Sequence, residues 1–296
     1  MEKELLALKS EKNAVILAHN YQPAAVRAVA DAVGDSLELA LLARDVTADC
    51  IVVCGVLFMA ETAKLVNPER KVLLPARDAG CPLADHLTPG MIEKAREEHP
   101  DAAVAVYVNS TAGCKALADI TCTSANAVRV VRSLAEEEVI FGPDANLAAY
   151  VQRQVPEKRI IPTPPGGHCY VHTGFTLADV EAARARGCTI VCHPECRPEI
   201  QERADIIAST GGMVRGGATA GCWSVFTERD MVLRLRSLYP DGTFCEKADA
   251  VCDDMKKITL AGLLRSLERE EHEVTVPDEV MHPARRAIER MLAVPE

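Results

Sequence analysis

The chain has 296 residues, of which 48% are hydrophobic and 26% charged, and its formal net charge is −10. That length accommodates one large domain or two or three small ones, and the balance of apolar and charged residues excludes a disordered chain. The acidic balance and the scattering of lysine and arginine exclude a nucleic-acid footprint.

The first segment, MEKELLALKSEKN, reads as a charged helix without the apolar run of a signal peptide. The longest uncharged apolar stretch, Cys50 to Ala60, is well short of the roughly 20 residues that span a bilayer. The twelve cysteines are therefore expected as thiols in a reducing compartment, some of them metal-bound, not as a disulfide framework. The expected location is the cytoplasm, with neither membrane nor nucleic acid as a partner.

Further along, one unit is written three times. The strand-like run AVILAHNY (14–21) has counterparts in AVAVYVN (103–109) and TIVCHPE (189–195). Aligned, they place His19, Tyr107 and His193 in one column and Tyr21, Asn109 and Glu195 in the next. About ten residues later stand Ala30-Asp31, Ala118-Asp119 and Ala204-Asp205, and five beyond each Asp comes a hydroxyl: Ser36, Ser124 and Thr210. These columns keep spacings of 88 and then 86 residues.

Helical patterns follow the first two hydroxyls (LELALLAR and ANAVRVVR), whereas GGMVRGG makes the third a weaker helix. A second strand is expected at CIVVCGV, EVIFGPD and WSVFTE. A third strand then runs into a loop ending at Cys81, Cys169 or Cys252. Strands alternating with helices imply parallel sheets covered on both faces. The expected architecture is α/β: three α-β-α sandwich repeats, each a β-α-β-α-β layer, related by a pseudo-three-fold axis around a central active site. The repeats fall at residues 1–84, 85–171 and 172–255, with a helical tail at 256–296 packing across them.

In such sheets ligands gather at the carboxyl ends of strands and at the following helix N-termini. The strand-tip columns and the hydroxyl column occupy those places, and three units facing one axis would line one cavity suited to a ligand with several carboxylates or phosphates. Taken singly, each hydroxyl reads better as an ordinary helix cap, and each strand-tip His or Tyr better as a packing residue. Only their register across the repeats favours a site. Cys81, Cys169 and Cys252 each close a repeat, so symmetry would bring three thiols together. Thiolates select zinc, copper(I) or iron–sulfur clusters, and three cysteines on a cubane leave one iron open as a Lewis acid. The remaining cysteines, including Cys188, Cys192, Cys196, Cys222 and Cys245, read as structural.

The segments VVCGVLFMAETAKLVNPERKVLLP with AGC, YVNSTAGCKALADITCTSANAV, GPDANLAAYV, GGHCYVH, HPEC and CDDMKKITL together resemble the quinolinate synthase family over nearly the whole chain. The resemblance implies a [4Fe–4S] cluster on Cys81, Cys169 and Cys252. It implies condensation of iminoaspartate with dihydroxyacetone phosphate to quinolinate, with loss of phosphate and water, on the way to NAD. A functional partner would be an enzyme that produces iminoaspartate. His19, Ser36, Asn109, Ser124, His193 and Thr210 would hold carboxylates and phosphate. Met59 and His172 would be pocket walls, and Ser209 would assist Thr210. Tyr21, Tyr107 and Glu195, with His193, would carry protons. The chain departs from the common family pattern at Pro75-Ala76-Arg77, His168 and Arg229, none of them in the columns. Two other readings are another three-cysteine cluster enzyme, of the hydroxymethylbutenyl diphosphate reductase or diphthamide type, and a dicarboxylate-binding protein. The strand-tip pairs His-x-Tyr, Tyr-x-Asn and His-x-Glu favour quinolinate synthase.

Overall fold

In the computed structural model, which describes residues 1–295, the strands form three parallel four-stranded sheets. The first contains β1 (Ala14–His19), β2 (Ala32–Gly34), β3 (Cys50–Cys54) and β4 (Lys71–Leu73), in the order β2-β1-β3-β4. The second contains β5 (Ala103–Tyr107), β6 (Ile120–Cys122), β7 (Glu138–Gly142) and β8 (Arg159–Pro162), in the order β6-β5-β7-β8. The third contains β9 (Thr189–Cys192), β10 (Ile206–Ile207), β11 (Cys222–Phe226) and β12 (Thr243–Cys245), in the order β10-β9-β11-β12. Helices alternate with the strands throughout, so three repeated α-β-α units are present.

Each sheet has one strand more than the β-α-β-α-β reading allows. The additional strands β2, β6 and β10 are only two or three residues long and lie at a sheet edge. Such a segment is too short for a hydrophobic period to mark it. The Ala-Asp column explains how so short a strand stays attached. Asp31 accepts a hydrogen bond from the Ile16 N–H at 2.8 Å, Asp119 from Val104 at 2.8 Å and Asp205 from Ile190 at 2.7 Å. In return the N–H groups of the three aspartates donate to the carbonyls of Ile16, Val104 and Ile190. The carboxylate thus continues the ladder past the start of the short strand and satisfies a backbone donor that would otherwise be unpaired. Lys9, Arg96 and Arg184 pair with these carboxylates.

The central strands are buried on both faces, which is why CIVVC and AVAVY read as continuous apolar runs without alternation. One core cluster joins the first two sheets. Separate clusters fill the two faces of the third sheet, one around Ile190, Cys192 and Phe226 and the other around Val191, Trp223 and Val225. The glycine-rich segment of the third unit is a helix, Thr210–Gly217. A Cβ at Gly211 would stand 2.5 Å from Asp35 Oδ2. Glycine there lets the third unit approach the first at the mouth of the site.

In the tail, the helix Leu260–Arg269 packs on the helix Glu2–Glu11 and on β3. The helix Asp278–Leu292 packs on Leu57–Val66 of the first unit and on Ala112–Ala116 and β6 of the second. No helix among the described residues is long and apolar enough to cross a membrane.

One expectation about the cysteines fails. Cys188 and Cys222 form a disulfide, with Cα atoms 4.7 Å apart, while the other ten cysteines are unbonded. The pairing of β9 with β11 places Trp223 opposite Thr189, so the residues just before them meet. Nothing in the linear spacing of the two residues announces that register.

Candidate active site

The three first strands of the sheets end around one cavity of about 700 Å³. His19, Tyr21, Tyr107, Asn109, His193 and Glu195, from the two strand-tip columns, all line it. So do the column hydroxyls Ser36, Ser124 and Thr210, the column cysteines Cys81, Cys169 and Cys252, and His172. Met59 lines an adjoining void of about 330 Å³ together with Ser36 and Phe58. Ser209 caps the helix Thr210–Gly217 by accepting from the Gly212 N–H.

The capping alternative for the hydroxyls separates by one residue. The N-cap positions are held by Asp35, Ser209 and Asn126, the last without a side-chain cap hydrogen bond, whereas Ser36 and Thr210 occupy the first helical position and Ser124 lies before its helix. Asp35 takes the N–H groups of Leu37 and Glu38, with Glu38 reaching back to the Asp35 N–H. The Ser36 and Thr210 hydroxyls are thereby released from capping and face the cavity beside free helix N–H groups. The buried Asn20 holds Thr210 in place at 2.8 Å.

The two histidines repeat one geometry. His19 Nδ1 accepts from the Tyr21 N–H at 3.2 Å, and His193 Nδ1 accepts from the Glu195 N–H at 3.3 Å. Burial pushes His19 down to about 3, helped by the cations Arg234 and Lys256, and burial pushes His193 down to about 3. Both rings are neutral at physiological pH, and an accepting Nδ1 leaves the proton on Nε2. Each therefore presents an N–H donor to the cavity; that of His193 reaches Ser124 Oγ at 3.2 Å.

Between the tyrosines runs a chain of short contacts. Tyr107 Oη donates to Glu195 Oε1 at 2.6 Å. Glu195 Oε2 lies 2.7 Å from His172 Nδ1, although Nδ1 has no well-aligned hydrogen-bond partner. His172 Nε2 is 2.9 Å from Thr227 Oγ1, which is 2.7 Å from Tyr21 Oη. With Nδ1–H facing Glu195, Nε2 accepts from Thr227, and Thr227 accepts from Tyr21. Burial works against charge on Glu195, but the hydrogen bond from the Tyr107 hydroxyl and the facing His172 Nδ1–H favour the ionised form and hold the carboxyl below its usual range. Burial and the Glu195 charge push Tyr107 and Tyr21 well above theirs, so both stay protonated. The site thus pairs a buried carboxylate with two protonated phenols.

The column cysteines share one local structure. Each immediately precedes a one-turn helix: Cys81 before Pro82–Asp85, Cys169 before Tyr170–Thr173 and Cys252 before Asp253–Lys256. Backbone N–H groups point at each sulfur, from Leu83 and Ala84, from His172 and from Met255 respectively. Even so, burial dominates and pushes all three thiols up. Alone they remain protonated; a cationic metal centre would ionise them, with the N–H groups stabilising the thiolates. The three sulfurs are not among the groups whose ligand atoms all lie within 4.8 Å of one another.

Thr227, Asp144 and Asn20 escaped the repeat reading. Thr227 and Asp144 lie just past β11 and β7, in the segments FTE and GPD. Asp144 is fully buried; burial and then Glu195 push it well above the usual carboxylate range. One of its oxygens caps the helix Ala145–Gln154 through Leu147, and the other has no partner. The signal available was a polar residue at the end of a second strand, where the three units differ.

The sequence profile of the family described as quinolinate synthetase A protein matches residues 3–293. The chain belongs to the quinolinate synthase family. It is 55% identical to the quinolinate synthase of Thermococcus onnurineus over 293 residues, which is 98% of this chain and 97% of that one. It is 55% identical to the quinolinate synthase of Pyrococcus furiosus over 295 residues, 99% of this chain and 97% of that one. Against the quinolinate synthase of Methanothermobacter thermautotrophicus the identity is 50% over 301 residues, 100% and 99% of the two chains. Membership of this family is in keeping with one cavity lined by neutral imidazole donors, a buried carboxylate and three thiols.

Proposed function

We propose that this cavity condenses iminoaspartate with dihydroxyacetone phosphate to quinolinate, releasing one phosphate and two waters, with a [4Fe–4S] cluster on Cys81, Cys169 and Cys252. The observation that carries the reading is the convergence of those three helix-preceding cysteines on the cavity that also holds the Tyr107–Glu195 pair. When bound, such a cluster supplies a Lewis acid at the iron without a protein ligand.

The chain's own residues take the other roles. The Nε2–H groups of His19 and His193, the Asn109 amide and the hydroxyls of Ser36, Ser124 and Thr210 bind carboxylates and phosphate. Hydrogen bonds to such charged groups contribute about 1.5–3 kcal/mol each. Glu195 accepts a proton from the substrate, and Tyr107 donates one to it from the hydroxyl that otherwise hydrogen-bonds Glu195 Oε1. Tyr21 moves a proton at its Oη, backed by Thr227 and His172. Met59 shapes the wall beside Ser36, and Ser209 fixes the first turn that carries Thr210. The activity belongs in the cytoplasm, consistent with ten unbonded cysteines, and its functional partner is an enzyme that supplies iminoaspartate.

The test is an anaerobic assay with iminoaspartate and dihydroxyacetone phosphate and no electron donor. Quinolinate forms if the reading holds. Absence of quinolinate from iron-loaded enzyme contradicts it, and turnover only with a reductant points to a reductase of the same architecture.

A further inference from the structure

Cys188, Cys222 and Cys245 are drawn from three neighbouring positions of the third sheet: Cys188 precedes β9, Cys222 opens β11 and Cys245 closes β12. Their sulfurs all lie within 4.8 Å of one another. Register explains the meeting. Thr189 stands opposite Trp223 and Ser224 opposite Cys245, so Cys188, Cys222 and Cys245 share one face of the sheet with Ser224. Cys188 and Cys222 mark the amino-terminal end of their strands, whereas the active-site cavity lies at the carboxyl end, and none of the three lines that cavity. The group is separate from the cluster cysteines.

The surroundings suit a thiolate centre. Cys188 is buried, while Cys222 and Cys245 are partly exposed and so give a reagent access. The Arg186 guanidinium donates to Ser224 Oγ at 3.3 Å, beside Cys222 and opposite Cys245, where it offsets negative charge. Two of the sulfurs are joined as the Cys188–Cys222 disulfide and the third is a free thiol.

We propose that Cys188, Cys222 and Cys245 form a second, structural metal site for a thiophilic cation such as Zn²⁺, which opens when the Cys188–Cys222 bond is reduced. A phosphine reductant breaks the S–S bond: the disulfide gains two electrons and two protons, and the phosphine becomes its oxide by taking the oxygen of one water. On binding Zn²⁺ the three thiols release three protons to the buffer, giving a three-thiolate centre whose fourth position is filled by water. A small-molecule disulfide restores the Cys188–Cys222 bond by exchange, taking up two electrons and two protons and leaving as two thiols, and the metal is expelled, so the site reports the thiol–disulfide balance of its surroundings.

The test uses the cluster-loaded enzyme, treated with a phosphine under anaerobic conditions, exposed to Zn²⁺ and desalted, with zinc and iron measured on the same sample. One zinc per chain is expected after reduction, less than a tenth without it, and unchanged iron in both. Cys245→Ser removes no disulfide; in that variant zinc occupancy falls at least ten-fold while iron and quinolinate formation persist. Three results overturn the proposal: no zinc in the reduced enzyme, undiminished zinc in Cys245→Ser, or zinc gained only in proportion to iron lost.

Discussion

Tyr107 and Glu195 belong to different sheets, yet the tyrosine hydroxyl donates to the carboxylate at 2.6 Å where both line the shared cavity. Burial makes that bond stronger than it is in water and keeps both members in fixed protonation states. With Glu195 as the proton acceptor, Glu195→Gln retains the visible absorption of the cluster and lowers kcat by about 10²–10⁴-fold. Steady-state assays on iron-matched samples check this; full activity in Glu195→Gln removes the residue from the reaction.

Thr227 is expected to matter through Tyr21. Its hydroxyl, fully buried, is the link between Tyr21 at 2.7 Å and His172 at 2.9 Å. Thr227→Val keeps the shape and leaves two buried polar groups short of a partner, at about 1–3 kcal/mol. The expected loss in kcat is about ten- to a hundred-fold, with Thr227→Ser restoring most of it. A rise in KM alone would make Thr227 a binding residue instead.

The aspartate brace predicts a stability effect that repeats. Asp31, Asp119 and Asp205 each carry the same hydrogen bond to a first strand. Asp→Ala at any of the three destabilises by about 1–3 kcal/mol through the unpaired N–H. Chemical denaturation of the three variants checks it, and a loss at only one would show that the brace is not equivalent across the units.

Much of this was legible because the chain repeats. The strand-tip residues could be read from three aligned runs, since a parallel strand buried on both faces leaves a clear apolar signature ending in polar residues. What could not be read lay where the units diverge. The short strands β2, β6 and β10 carry no period of their own, and a side chain, not a longer strand, completes their pairing. A one-residue offset decides whether Ser36 or Asp35 caps its helix. Thr227 stands where the first unit has Gly55 and the second Pro143, so no column marks it. The Cys188–Cys222 bond depends on the register between β9 and β11, which spacing alone does not reveal.

Acid should weaken the fold through His19. Its folded pKa of about 3 lies below the unfolded value of 6.5, so between these limits the unfolded chain binds the proton and the folded chain does not. The contribution is fully present above pH 6.5 and is lost as pH falls toward 3, at about 1.4 kcal/mol per unit. His19→Gln should flatten the acid limb of the thermal midpoint against pH. Both proteins lose any acid-labile cluster alike, so the difference between them isolates the imidazole. Parallel profiles would show that His19 is not buried in its neutral form.

The central claim is that Cys81, Cys169 and Cys252 together hold the iron on which quinolinate formation depends. Visible absorption with iron and sulfide analysis, after identical anaerobic reconstitution of Cys169→Ala and Cys192→Ala, tests it most directly. The account predicts that Cys169→Ala loses the absorption and its iron, while Cys192→Ala, altered only in the core of the third unit, keeps both. A full cluster in Cys169→Ala, or its loss from Cys192→Ala alone, would contradict the ligand set.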